Sequence, residues 1–267
     1  MPDYEMTAHD LWGVYAVPPL PRSAGARRTI DFDAASRVVE HIHDGGVTRF
    51  LYGGNAFVYH MSIDEYECLA GWLAQFEPPR LAIPSLGPSF GRAIDQARML
   101  RRHGFSSAML LPCNDPRDAA GMEAGVREIA QTAGLPLVLY LKSEDAFGTD
   151  LYAGLEAIER LVRDGVALAI KYAVVRQNPH VDPYLTALLE RVDRTRVLSG
   201  IGERPAIAHL RDFGLGGMTT GSGCIAPGRS GRNGCGTRSA CYFGLIVSRD
   251  VWLDRDLRFG VTACCSR

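Results

Sequence analysis

Residues 135–173 read LPLVLYLKSEDAFGTDLYAGLEAIERLVRDGVALAIKYA. The stretch opens and closes on apolar runs, LPLVLYLK (135–142) and VALAIKYA (166–173). Between them Asp150 stands where a helix N-cap is wanted, and residues 150–164 carry a helical period. Leu151, Leu155, Ile158, Leu161 and Val162 fall on one face, with Glu156, Glu159, Arg160 and Arg163 on another. Strands that are apolar almost without interruption are buried on both faces, which is the mark of a parallel sheet covered by helices. The stretch therefore predicts one strand–helix–strand unit of an α/β fold.

The same alternation extends in both directions. Further strand-like runs lie at 13–20, 49–54, 80–87, 107–113, 196–202 and 217–223. Amphipathic stretches fall between them at 31–45, 62–76, 90–103, 118–133, 182–193 and 204–213. Asp31, Ser62, Ser89, Asp118 and Asp182 are further N-caps, and Gly45, Gly104, Gly134, Gly165 and Gly214 sit where left-handed C-caps are wanted. Eight strands with a period of about thirty residues predict a closed (β/α)8 barrel over residues 11–227. No Gly-x-Gly-x-x-Gly follows the first strand, which argues against an open dinucleotide-binding sheet. No regular eighth helix and no helical C-terminal extension are expected. Residues 228–267 lack an amphipathic period and are rich in Gly, Arg and Cys. An irregular tail is expected there, with the composition of a shifted reading frame in a GC-rich gene or of a divergent, loop-rich terminus.

Composition excludes several classes. The 267 residues are 46% hydrophobic and 22% charged, with a net charge of -1. That balance offers no electrostatic footprint for nucleic acid or an anionic membrane surface. No apolar run approaches bilayer length, and no secretory signal is expected in MPDYEMTAHDLWG. Seven cysteines without a Cys-x-x-Cys or paired Cys/His spacing give no zinc motif. Cys68, Cys113 and Cys224 fit buried, reduced thiols, so a cytoplasmic location is expected.

The chain contains two lysines, Lys142 and Lys171, against twenty-seven arginines. Lys171 lies in an apolar strand, near its C-terminal end, where barrel active sites are built. Pointing inward, it would be desolvated and its amine held neutral, ready to attack a ketone or aldehyde as a Schiff-base nucleophile. Facing the helices, it would only pack its stem and extend its head to water. Arginine would serve that second role equally well, so the rarity of lysine favours the first. Tyr140 ends the adjacent strand, and a phenol beside such a lysine can shuttle protons.

The order of elements, the strand ending LVLY and the strand ending AIK resemble the dihydrodipicolinate synthase/N-acetylneuraminate lyase family, over residues 11–226. The resemblance implies a class I lyase or aldolase acting on pyruvate or another small 2-keto acid, with an aldehyde partner in some members. It implies no cofactor and a homo-oligomer. By the same resemblance Lys171 is the Schiff-base lysine and Tyr140 the proton-shuttling tyrosine. Where the family carries Gly-Thr-Thr-Gly-Glu, this chain has Gly53, Gly54, Asn55, Ala56 and Phe57. Asn55 and the backbone amides of Gly53 and Gly54 are the expected donors to the substrate's acidic group. Cys113 and Asn114 stand in place of a tyrosine that crosses to a neighbouring subunit. Lys142, Glu144 and Asp145 stand where synthases have a substrate-binding arginine. Acidic residues there would repel a second carboxylate.

Other residues at the expected mouth are Ser85, Gly87, Gly200, Gly202 and either Thr219 or Thr220, since alternation lets only one face the pocket. Thr219 is taken as the substrate-binding one. His180 is expected on a surface loop, and His41 and His43, two apart on a helix, cannot share a metal. The expected function is carbon–carbon bond cleavage or formation through a lysine imine. Dehydration of a deoxy-keto sugar acid by the same chemistry, or a catalytically silent barrel, is the alternative.

Overall fold

A computed structural model describes residues 10, 12–77, 80–113, 115–221 and 224–225. Asn114 and the expected tail at 228–267 lie outside the described residues. The strands are β1 (Gly13–Ala16), β2 (Arg49–Tyr52), β3 (Leu81–Leu86), β4 (Ala108–Leu110), β5 (Leu137–Leu141), β6 (Ala167–Tyr172), β7 (Val197–Ser199) and β8 (Gly217–Thr220). All neighbours pair in parallel, and β8 returns to β1 through Gly13↔Gly217 to Ala16↔Thr220, closing the barrel. Seven helices separate the strands after β1 through β7. They are α1 (Phe32–Asp44), α2 (Ile63–Leu73), α3 (Phe90–His103), α4 (Ala119–Ala133), α5 (Leu151–Arg163), α6 (Pro183–Leu189) and α7 (Glu203–Arg211). The (β/α)8 architecture read from the sequence is the observed one.

The caps show why helices start where they do. The carboxylates of Asp31, Asp118, Asp150 and Asp182 and the hydroxyl of Ser62 each accept a backbone N–H of the first turn. Ser89 holds the N-cap position of α3 without a side-chain bond. At the other ends, Gly104 and Gly134 are left-handed C-caps, with φ of 72° and 67°. Gly45 departs from expectation: its φ is -74°, and Gly46 takes the positive φ of 94° instead. The chain continues one helical step further before turning. In α5, Leu155, Ile158 and Leu161 are buried as the period predicts, but Leu151, the first residue of the helix, is 38% exposed. Of the thiols expected to be buried, Cys224 is buried, Cys113 is partly covered and Cys68 is exposed on α2.

One irregularity decides the geometry of the mouth. Leu137 pairs with Ala167, but the next residue, Val138, pairs with Ala169. Leu168 is therefore an extra residue on β6, a β-bulge. Its carbonyl accepts a 3.2 Å hydrogen bond from Arg196 Nη1, so the bulged peptide is satisfied by a side chain rather than by the ladder. Beyond the bulge, Tyr140 is opposite Lys171. Without it, Lys171 would fall opposite Leu141.

Candidate active site

The C-terminal ends of the strands enclose a cavity of about 220 Å³. Leu51, Tyr140, Lys171 and Thr219 enter it from strands, and the loops after β2 and β7 bring Gly53, Gly54, Asn55, Gly200 and Gly202. All six residues singled out as catalytic or substrate-binding from the sequence, Lys171, Tyr140, Gly53, Gly54, Asn55 and Thr219, thus line one space. Its size, below the usual range of drug-sized pockets, suits a small molecule.

Lys171 is 6% exposed. Its Nζ sits 4.2 Å from the centroid of the Tyr140 ring, over the face rather than at the hydroxyl. Burial, followed by the positive charge of Lys142, lowers its pKa from 10.5 to about 8. At pH 7 roughly a tenth of the amine is then neutral, several hundredfold more than for a solvated lysine. Burial also raises the phenol pKa of half-buried Tyr140, so that the hydroxyl keeps its proton. The stem of Lys171 needs a glycine directly after the next strand, β7. A Cβ at Gly200 would lie 2.8 Å from Tyr172 O and 2.9 Å from Lys171 Cγ.

The loop after β2 is a rigid wall. Two short turns, Gly54–Ala56 and Val58–His60, are joined at Phe57, whose φ of 57° is uncommon for a bulky residue. Inside the loop the amides of Ala56 and Val58 donate to Gly53 O, and that of Phe57 to Gly54 O. From outside, the Arg92 guanidinium on α3 clamps the carbonyls of Val58 and Met61. Gly53 is needed for space: an added Cβ would stand 2.9 Å from Met109 Cε and 3.1 Å from Ser85 Oγ. Asn55 does not present its whole amide to the cavity, because Nδ2 donates to Val17 O at 2.9 Å. One N–H of that group ties the loop to β1 and the other remains.

Thr219 and Thr220 divide as alternation requires. Thr219 lines the cavity, and Thr220 turns away to donate to Glu203 of α7. Ser85 is buried beneath Gly53 and does not reach the cavity. Gly87 is a turn residue, with φ of 101° and its N–H bonded to Gln96 Oε1 at 2.7 Å. His180 bonds to Asp212 on the surface, and among the described residues no cluster of three or more His, Cys, Asp or Glu could hold a metal. Cys113, partly covered, lines a separate small cavity with Arg117 and Asp145.

The acidic stretch after Tyr140 is tied into an ion-pair network. Glu144 is ion-paired to Arg176, which also bonds Asp182 at 2.8 Å. Asp182 in turn accepts from Tyr172 Oη at 2.7 Å. One guanidinium shared by two carboxylates offsets part of the acidic charge and ties the loops after β5 and β6 together. Sequence reading missed Arg176, as it missed Val17, Leu51 and Gly221 on the cavity wall. It also missed Tyr59, a half-buried phenol whose pKa is pushed up to about 12 by burial and then by Tyr140. None of these stands out by spacing; only the fold brings them close.

No family model and no curated protein matches the chain. Solved structures do. The 4-hydroxy-tetrahydrodipicolinate synthase from the thermoacidophilic methanotroph Methylacidiphilum fumariolicum SolV is 21% identical, with a TM-score of 0.68 over 81% of this chain and 70% of that one. Dihydrodipicolinate synthase from Thermotoga maritima is 18% identical, with a TM-score of 0.71 over 92% and 81% of the two chains. The enzyme of the same name from Aquifex aeolicus is 15% identical, with a TM-score of 0.71 over 92% and 81%. At such identities the likeness is one of fold.

Proposed function

We propose that the chain is a Schiff-base lyase or aldolase of the dihydrodipicolinate synthase/N-acetylneuraminate lyase type, acting on a small 2-keto acid such as pyruvate. The observation that carries this reading is the buried lysine at the barrel mouth, with its pKa near 8 and its nitrogen 4.2 Å above a tyrosine ring. The structural neighbours, which include dihydrodipicolinate synthases, support it.

In this reading the neutral amine of Lys171 attacks the keto carbon. The proton lost by nitrogen goes to the substrate oxygen, water leaves, and an imine forms. Tyr140, opposite Lys171, serves as the proton carrier, and its raised pKa keeps it in the donor form until an acceptor is at hand. The imine then acts as an electron sink for making or breaking the adjacent carbon–carbon bond. The amides of Gly53 and Gly54 and the remaining Asn55 N–H receive the substrate carboxylate, and Thr219 adds a hydroxyl to the wall. The pairing of Glu144 with Arg176 leaves the rim less hostile to an anionic second substrate than the bare sequence suggests. Dehydration of a deoxy-keto sugar acid would use the same imine, and product analysis separates the two.

Reduction of the protein–pyruvate mixture with borohydride tests the reading. An adduct on the peptide holding Lys171, absent in Lys171→Ala and not restored in Lys171→Arg, is the expected result. No adduct with any of a panel of 2-keto acids, or an adduct on Lys142 alone, would overturn it.

A further inference from the structure

We propose that His209, outside the cavity, is a positioning residue: its bond to Ser199 fixes the end of β7 against the stem of Lys171. The inference rests on the reading of Lys171 as the imine-forming amine. Ser199 closes β7 and pairs with Tyr172 of β6, the residue after Lys171. Alternation turns both of these side chains outward, because Lys171 faces the cavity. There Ser199 Oγ meets Nδ1 of His209, on α7, at 2.8 Å, and both residues are fully buried. The residue after Ser199 is Gly200, whose missing Cβ leaves room for Lys171 Cγ. Its N–H donates to Tyr172 O at 2.6 Å. A shift of Ser199 is therefore a shift of the surface on which the lysine stem rests.

Packing alone would not select an imidazole here. Among the described residues Nε2 of His209 has no hydrogen-bond partner, and a buried polar atom left so costs stability. A phenylalanine would fill the same space without that cost, so what the histidine adds is Nδ1. Burial lowers its pKa, against a smaller upward pull from Asp182, so at pH 7 the bond to Ser199 joins two neutral groups. The ring is held in place itself. It meets the Tyr172 ring at 5.8 Å and the Phe213 ring at 6.1 Å, both edge to face. Its backbone oxygen accepts from Leu215 N at 3.1 Å, which starts the turn from α7 into β8, the strand of Thr219. His209 thus touches the residue after the lysine, the residue before the glycine and the approach to β8. The loop that receives the substrate carboxylate follows β2, opposite β6 in the ring of eight strands. Loss of the Ser199–His209 bond should therefore act on the nucleophile and leave the carboxylate site alone.

Cyanoborohydride trapping of the imine on Lys171, followed against pyruvate concentration, reads the two apart. Ser199→Ala should slow the maximal trapping rate about three- to tenfold, the range expected for one hydrogen bond, and change half-saturation less than about twofold. Two further variants separate position from packing. Ser199→Ala combined with His209→Phe removes both polar partners and keeps a ring, so the urea midpoint should stay close to that of the wild type while trapping remains slow. His209→Asn keeps an amide atom where Nδ1 stands and opens a void beyond it, so the midpoint should fall while trapping stays within about twofold of the wild type. Wild-type trapping in Ser199→Ala, or trapping that follows the urea midpoint through these variants, would overturn the inference and leave the imine chemistry standing. If the wild type forms no adduct on Lys171 with any 2-keto acid, both readings fall.

Discussion

A lysine held at pKa about 8 in a folded protein destabilises that protein, and removing it should show by how much. The drop from 10.5 to about 8 corresponds to roughly 3 kcal/mol against the charged form. Solvent screening takes little from this figure, since the residue is 6% exposed. The sign follows from the depressed folded value. Below pH 8 the folded state must carry a charge it disfavours, so the full penalty is present. Between about 8 and 10.5 the unfolded lysine holds a proton that the folded one has released, and stability rises with pH. Lys171→Met keeps the length of the stem and removes the charge. Urea unfolding at pH 6.5 should place its midpoint roughly 1–1.5 M above the wild type, for a slope of about 2–3 kcal/mol per molar. By pH 10.5 the gap should shrink to whatever the thioether gains by packing. A gap that is absent at pH 6.5, or that does not narrow with pH, would show that Lys171 is not desolvated and would remove the basis for a neutral nucleophile.

Three substitutions probe the rest of the site. Tyr140→Phe preserves the ring under Lys171 and should still give a borohydride adduct, while turnover falls about 10²–10⁴-fold; unchanged turnover would assign proton transfer elsewhere. Asn55→Ala removes a donor to the substrate carboxylate and should raise the pyruvate KM about tenfold or more without abolishing the adduct. Equal KM would place the carboxylate elsewhere. Gly200→Ala sets a Cβ 2.8 Å from a backbone oxygen and 2.9 Å from Lys171 Cγ, and should lose about 1–3 kcal/mol of stability together with trapping rate. A stable, fully reactive variant would mean that β7 can retreat.

The barrel was legible because its signals are local. Aspartates capping helices, apolar strands of even spacing and the absence of a glycine fingerprint each sit within one segment and need no knowledge of the rest. The pair Tyr140 and Lys171 was legible for a related reason: both end apolar strands that are consecutive, and consecutive parallel strands in a barrel are neighbours. What escaped depends on distant partners. Arg176 cancels Glu144 from thirty-two positions away, and no spacing rule links them. The hold of Asn55 on Val17 crosses thirty-eight positions, and it reduces what the side chain can offer a substrate. Gly46 taking the turn expected of Gly45 is a smaller case, where two adjacent glycines make either reading equally good from sequence.

The bulge in β6 shows how far a concealed device can reach. Alternation along VALAIKYA assigns sides only if no residue is extra, yet Leu168 is extra. Which lysine neighbour results depends on where the additional peptide is accommodated, because a one-residue slip exchanges Tyr140 for Leu141 opposite Lys171. A bulge leaves backbone groups outside the ladder, and a buried carbonyl without a partner costs about 1–3 kcal/mol. Arg196, immediately before β7, reaches across to bond Leu168 O and lowers that cost. The residue that supports the phenol–lysine pair therefore lies on neither strand that carries it, and at the opposite end of β6 from the cavity. Only Ala169 and Ile170 separate Leu168, which carries that hydrogen bond at the base, from Lys171 at the mouth, so the register set at one end of β6 is the register found at the other.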